Sequence, residues 1–256
     1  MTPEQALKLT GSFAHGASIR RRVHAAPVKS SYLIERRGER FVLRIDSPLA
    51  LQLGLDRAAE VAVLNTAWRA GIGPQPIALI PGPPAILVTR FAPGEAWRPA
   101  DLRDPARLER LAGILRRLHE ARLPGPALDL GRACARYAAR IGTPESRALA
   151  AGAAKLLRRC AGEPAQRCLC HNDPIPANVV GLRRTVLIDW EYAAIGDPLF
   201  DLAVVAQHHR LPRRDVAKLA AWYYGGAGRV PWERLEHYRA VYDIVLRLWS
   251  LCVGGA

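Results

Sequence analysis

Methionine occurs only at position 1 and lysine at only four places, Lys8, Lys29, Lys155 and Lys218, yet the 256-residue chain carries a formal net charge of +14. Arginine therefore supplies almost all of the cationic excess. Such a surface attracts anionic ligands of any kind, but a dedicated nucleic-acid binder shows long basic blocks or basic runs interleaved with aromatics. Neither occurs: short clusters such as Arg20-Arg21-Arg22 and Arg213-Arg214 sit among apolar or helix-forming residues. No specific nucleic-acid partner is expected. Cysteine comes in an odd number, five (Cys134, Cys160, Cys168, Cys170 and Cys252), without a CxxC pair. That argues against a disulfide framework and for reduced thiols in a cytoplasmic protein. The opening MTPEQALKLTGSFAHG lacks the apolar core of a signal peptide. No apolar run approaches the roughly 20 residues that span a bilayer, so no membrane partner is expected either. Repeats and low-complexity tracts are missing too.

Half of the residues are hydrophobic, enough for a sizeable core in one large domain or two smaller ones sharing a cleft. Residues 31–46, SYLIERRGERFVLRID, read as a β-hairpin turning at Gly38. In its second strand Phe41, Leu43 and Ile45 share one face and leave Val42 and Arg44 on the other. A helix follows, with Asp56 as N-cap, Val61, Leu64 and Trp68 at helical spacing, and Gly71 at the C′ position. Residues 76–91 read as two short strands around a Pro/Gly turn, and APGEAW at 92–97 reads as a hinge. Beyond it the chain turns helical. Asp104-Pro105 opens a helix striped by Leu108, Leu111, Leu115 and Leu118 and ending near His119. Further helices are expected over 145–160, 199–209, 213–224 and 232–253, the last with Leu235, Tyr238, Tyr242, Val245, Trp249 and Cys252 in steps of three and four. A small β-rich part followed by a larger helical part makes the fold class α+β.

The stretch CHNDPIPANVVGLRRTVLIDWEYAAIGDP, from Cys170 to Pro198, gathers His171, Asp173, Asn178, Asp189 and Glu191 among short apolar runs. Buried carboxylates are costly unless they are paired or bind a metal, so the segment demands a salt-bridged core or an active site. Mg²⁺ takes one or two hard oxygen ligands besides phosphates and water, and Asn178 and Asp189 can supply them. Phosphoryl transfer to an alcohol needs a carboxylate that orients the hydroxyl and accepts its proton, the task suited to Asp173. Asp189 follows the buried strand Val186-Leu187-Ile188, a rigid support. His171 reads as a residue that holds the loop by hydrogen bonds.

In order, HxDxxxxN, IDWEYA and GDPxFDLA resemble the choline kinase, thiamine kinase and aminoglycoside phosphotransferase superfamily, whose fold is protein kinase-like. The resemblance implies a nucleotide-binding lobe over 1–91 and a catalytic, acceptor-binding helical lobe over 92–256. It implies ATP and Mg²⁺ as cofactors and a small, cationic alcohol such as choline, ethanolamine or thiamine as acceptor. Asp173 resembles the catalytic carboxylate, and Asn178 and Asp189 the Mg²⁺ ligands. Asp197 and Asp201 resemble carboxylates that brace the loop and cap the next helix. Arg44 resembles the basic residue of the third strand, which touches phosphates or pairs with a helix carboxylate, here Glu60. Thr89, Arg90 and Phe91 resemble the linker that meets the adenine, and His119 has a structural counterpart. Glu191 would hold a second metal or face a cationic acceptor, and Trp190, Tyr192, Tyr242 and Trp249 offer aromatic faces for such a cation. For the aromatics of the last helix, core packing is the competing assignment.

Two departures stand out. HAAPVKSSY, residues 24–32, contains no glycine where a glycine-bearing turn would lie over the phosphates; Lys29, Ser30 and Ser31 are left to reach them. Pro174 follows Asp173 directly and biases it away from helical backbone angles. Three alternatives accompany the kinase reading: a kinase-like protein that binds nucleotide without turning it over, an aminoglycoside phosphotransferase, and a metal-dependent hydrolase built on His171, Asp173, Asp189 and Glu191.

Overall fold

Two tight turns lay residues 17–46 out as three antiparallel strands, β1 (Ala17–Ala26), β2 (Lys29–Arg36) and β3 (Glu39–Asp46). In this computed structural model, which describes residues 1–160 and 167–254, a helix α1 (Pro3–Leu9) precedes them. After β3 come α2 (Pro48–Gln52) and α3 (Arg57–Arg69), then β4 (Pro76–Ile80) and β5 (Ile86–Arg90). The sheet order is β1-β2-β3-β5-β4. Arg37 and Gly38, both at positive φ (51° and 78°), form the β2–β3 turn, the signature of a primed hairpin. Phe41, Leu43 and Ile45 point to one face and are buried with Ile34, Ile86, Val88, Phe13 and the α1 residues Ala6 and Leu7. Fully burying such a side chain contributes about 1.5–3 kcal/mol, so this layer fixes the register and sends Arg44 to the opposite face. Asp56 caps α3 by accepting from the Ala59 amide at 3.0 Å, and Gly71 follows the helix at φ 71°.

The chain divides into two compact units, Met1–Gly94 with Val186–Tyr192, and Glu95–Thr185 with Ala193–Ala256. The first break lies between Gly94 and Glu95. The return of Val186–Tyr192 to the first unit departs from the simple division at 91/92. Its cause is local: the Leu187 amide bonds Ile72 O at 2.8 Å, and Trp190 packs where Gly73 leaves no Cβ.

The second unit is built of helices α4 (Pro105–Glu120), α5 (Leu130–Ile141), α6 (Pro144–Cys160), α7 (Pro198–His208), α8 (Arg213–Tyr224) and α9 (Trp232–Gly254). Asp104 caps α4 through the Ala106 amide at 2.9 Å, and the whole leucine stripe of α4 is buried. Helix α7 is buried along nearly all of its length, from Leu199 to Ala206. It packs on α9, which also meets α5 and α6, while α4 lies on α8. A short antiparallel pair, Cys168–Cys170 with Ala194–Gly196, leads into and out of the motif-bearing loops. Four elements lay outside expectation: β1, an exposed edge strand; α1; α2; and α5. Among the described residues no helix is long and apolar enough to cross a membrane.

Candidate active site

In the first unit, seven charged side chains meet in a largely buried cluster. Arg44 on β3 grips Glu60 on α3 with two bonds, Nη1 to Oε1 at 2.7 Å and Nη2 to Oε2 at 2.6 Å. Arg57, at the start of α3, donates to both oxygens of Asp46 (2.7 and 3.0 Å), to Glu60 Oε2 (2.9 Å) and to Glu191 Oε2 (2.9 Å). Lys29, the first residue of β2, pairs with Glu191 Oε1 at 2.9 Å and with Asp189. Three cations thus face four carboxylates, Asp46, Glu60, Asp189 and Glu191, and one negative charge is left over. The side chains are less than a tenth exposed except that of Asp189, at 23%, so the surplus has its opening there.

The titration directions follow this pairing. Burial works against the charge on Lys29, but Asp189 and Glu191 outweigh it and hold its pKa above the ordinary lysine value. Burial likewise opposes the Glu60 carboxylate, and Arg44 and then Arg57 overcome it and hold its pKa low. Desolvating this many charges costs several kcal/mol per ion; dense pairing offsets it. Asp189 sits at φ 67°, a conformation few non-glycine residues adopt and one that gathers at functional positions. Trp190 holds the turn by donating its indole N–H to Leu187 O at 2.8 Å.

In the second unit, the loop after strand Cys168–Cys170 is held by one buried carboxylate. Asp201, in the first turn of α7, accepts from the amides of His171 (2.9 Å) and Asn172 (2.6 Å) and meets His119 Nε2 at 3.0 Å. His119 Nδ1 in turn meets the Tyr223 hydroxyl at 2.8 Å. With those bonds made, Asn172 turns the chain at φ 64°. The Asp173 amide donates to His171 Nδ1 at 3.3 Å, and the Ile175 amide to Asp173 O at 2.9 Å. Pro174 is therefore the centre of a three-residue turn, a place its fixed φ suits. Asn178 Nδ2 donates to both Asp173 O and Asp173 Oδ2 at 2.9 Å, which aims the Asp173 carboxylate. Asp197 caps α7 through the Leu199 amide at 3.0 Å while receiving Arg234 and the Tyr238 hydroxyl.

The remaining sequence candidates take varied positions. Ser30 lies on β2 opposite Ile45. Thr89, next to last in β5, pairs with Val42, and the Phe91 amide bonds Arg40 O at 3.0 Å with the Arg40 guanidinium 4.8 Å above the Phe91 ring. Tyr242 is buried beside Phe200 and meets His208 Nδ1 at 2.5 Å. Its hydroxyl is pushed up by burial and then by the charges of Asp173 and Asp243, which puts Asp173 in its neighbourhood. Trp249 is half-buried on α9. Two expectations give way. Trp190 is 1% exposed and is a core residue with no face to offer a ligand. Glu191 has one oxygen paired with Lys29 and the other with Arg57, so in this structure it is a buried ion-pair partner and not an open ligand for a second metal or a cationic acceptor. Sequence reasoning missed Arg57 and Asp46. Their signals were Arg57 one turn before Glu60 on the same helix and Asp46 two residues past Arg44 on the same strand face.

Two side chains, one in each unit, carry hard oxygen donors. Asp189 is a partly open carboxylate. Asn178 spends its nitrogen on Asp173, which leaves the amide oxygen as its ligand atom; both are oxygen donors of the type Mg²⁺ prefers. The trio His119, Cys168 and Cys170, whose ligand atoms lie within 4.8 Å of one another, behaves differently. Both ring nitrogens of His119 are already bonded, and the contact with Cys168 together with burial keeps the Cys170 thiol far above its ordinary pKa. These groups pack as part of the core.

Comparison with known proteins places this geometry in context. The profile of the phosphotransferase enzyme family matches residues 28–238. Protein LicA of Haemophilus influenzae (strain ATCC 51907 / DSM 11121 / KW20 / Rd) is 29% identical over 89 residues, and the match covers 32% of this chain and 33% of that protein. The chain thus spans about a third of that curated relative. Among solved structures, a choline/ethanolamine kinase family protein from Mesorhizobium loti superposes with a TM-score of 0.78 at 23% identity, over 97% of this chain and 84% of the other. LicA in complex with AMP superposes with a TM-score of 0.81 at 17% identity, over 98% and 88%. At those identities the likeness is one of fold.

Proposed function

Because this chain belongs to the phosphotransferase enzyme family, we propose that it transfers the γ-phosphate of ATP to the hydroxyl of a small cationic alcohol of the choline, ethanolamine or thiamine kind. The observation that carries the reading is the Asp173 carboxylate, aimed by Asn178 Nδ2 at 2.9 Å on a loop that Asp201 braces. A fixed carboxylate with this support orients an alcohol and takes its proton as the oxygen attacks phosphorus. Asn178 and Asp189 would hold Mg²⁺, which supplies charge neutralisation on the phosphates. Arg44 acts by bracing: its two bonds to Glu60 lock α3 to β3. The cationic acceptor is favoured by the likeness in fold to a choline/ethanolamine kinase family protein and by Tyr242, an aromatic residue whose hydroxyl feels the Asp173 charge.

One observation favours a second reading, a protein that binds nucleotide without turning it over. The Pro27-Val28 turn is tied down by Ser47, whose Oγ donates to Pro27 O at 2.6 Å and whose amide donates to Val28 O at 2.9 Å. A pinned, glycine-free turn offers fewer amides to a phosphate. The two readings part on Asp173→Ala. For an enzyme, turnover of ATP with choline, ethanolamine or thiamine falls by about 10²–10⁴-fold while ATP affinity, read by calorimetry, stays within about twofold. Turnover in the variant equal to that of the parent protein removes Asp173 as the base; background turnover in both favours the binding protein.

A further inference from the structure

Lys29 is among four lysines in the chain and the only one of them that is buried. Its ammonium contacts the carboxylate of Asp189 and that of Glu191, and its side chain is 5% exposed. The backbone beneath it has little freedom: Lys29 pairs with Ala26 and with Asp46 across β2, and the turn before it is tied to Ser47. Glu191 is fixed from its other side by Arg57 at 2.9 Å. Lys29 therefore rests between one carboxylate that is fully committed and one, Asp189, that is the open edge of the cluster.

If Asp189 is a metal ligand, as the proposed function has it, this arrangement has a consequence. A divalent cation seeking Asp189 meets a carboxylate that already has its counter-ion, and the repulsion between the two cations acts in a partly desolvated place, where it is felt strongly. The cluster carries one surplus negative charge with Lys29 in place and two without it. We propose that Lys29 is an internal surrogate for the metal: it holds Asp189 in the metal-free protein and must yield that carboxylate, falling back on Glu191, before a divalent ion binds. Lys29 is then a positioning residue that sets metal affinity and keeps Asp189 in its left-handed turn while no ion is bound. A simple structural ion pair would stabilise the fold but would not exchange with metal.

The test uses the full chain without nucleotide and Mn²⁺ alone as probe, with free Mn²⁺ read by electron paramagnetic resonance. Lys29→Met should tighten Mn²⁺ binding about tenfold, since it removes the competing charge. Lys29→Arg, which keeps that charge, should stay within about twofold of the parent. Equal or weaker Mn²⁺ binding by Lys29→Met overturns the proposal. Asp189→Asn separates this from failure of the functional reading: if it leaves Mn²⁺ affinity unchanged, Asp189 is not a ligand and both fall together.

Discussion

Truncating Glu60 to alanine should be among the most damaging single changes in the first unit, and the structure says how the damage is shared. Arg44 would lose both of its short bonds, at 2.7 and 2.6 Å. Its nearest remaining carboxylate, Asp46, lies 3.7 Å from a Nε that already has no hydrogen-bond partner. Arg57 would lose one bond but keep Asp46 and Glu191. One buried guanidinium is thus stranded, which costs about 3–5 kcal/mol. Replacing the pair together, Arg44→Leu with Glu60→Leu, removes the stranded charge along with its partner and should stay within about 2 kcal/mol of the parent. The assay is urea unfolding of the three proteins followed by tryptophan fluorescence. The pair adds a pH test with a definite sign. The Glu60 pKa is lower in the folded protein than in the unfolded chain. Its contribution is therefore fully present above the unfolded carboxyl value, about 4.3, and is lost as pH falls through the lower folded value. Glu60→Gln should accordingly show a shallower loss of stability on the acid side. A Glu60→Ala cost below about 1 kcal/mol, or a double variant as unstable as the single one, would refute the stranded-charge reasoning.

Two other substitutions probe the supports of the site. Asp201→Ala leaves the His171 and Asn172 amides and His119 Nε2 without their acceptor in a fully buried place. At about 1–3 kcal/mol per orphaned group it should destabilise by at least about 3 kcal/mol in a denaturant titration, with Asp201→Asn milder because one oxygen remains. A loss under about 1 kcal/mol would mean that the loop holds itself. Gly73→Ala puts a Cβ 3.1 Å from both Leu64 Cδ1 and Trp190 Nε1. Overpacking of this kind costs about 1–3 kcal/mol and should appear in a thermal melt; an unchanged midpoint would show that the Trp190 turn can shift freely.

The elements that were legible in the sequence are those whose determinants are local. Asp104-Pro105 and Asp56 announced their helices because a cap acts on amides two or three residues away, and the α4 leucines repeated with the period of a single buried face. Helix α5 carries comparable local signals, Asp129 accepting from the Arg132 amide and Gly142 at φ 77°. Strand β1 could not be read the same way. It is the edge of the sheet and exposes nearly every side chain, so no alternation remains to betray it.

The site divides along the same line. Asp173 and Asn178 lie five residues apart and bond each other, and the Arg44–Glu60 pair spans one strand-to-helix connection; short spacing suffices to suggest both. What spacing cannot suggest is Glu191 between Lys29 and Arg57, contacts that bridge well over a hundred residues. Read alone, Glu191 two places beyond Asp189 looks like a second ligand, because local pattern says which groups share a segment and nothing of which cations the fold delivers to them. The same blindness hid Trp190, whose neighbours Gly73 and Leu187 make it core. Charge balance supplies the missing rule: a chain that buries Arg44, Arg57 and Lys29 in one unit must bury carboxylates beside them. Asp46, Glu60 and Glu191 meet that demand with buried side chains, and Asp189, paired with Lys29 as well, is the most exposed carboxylate of the cluster.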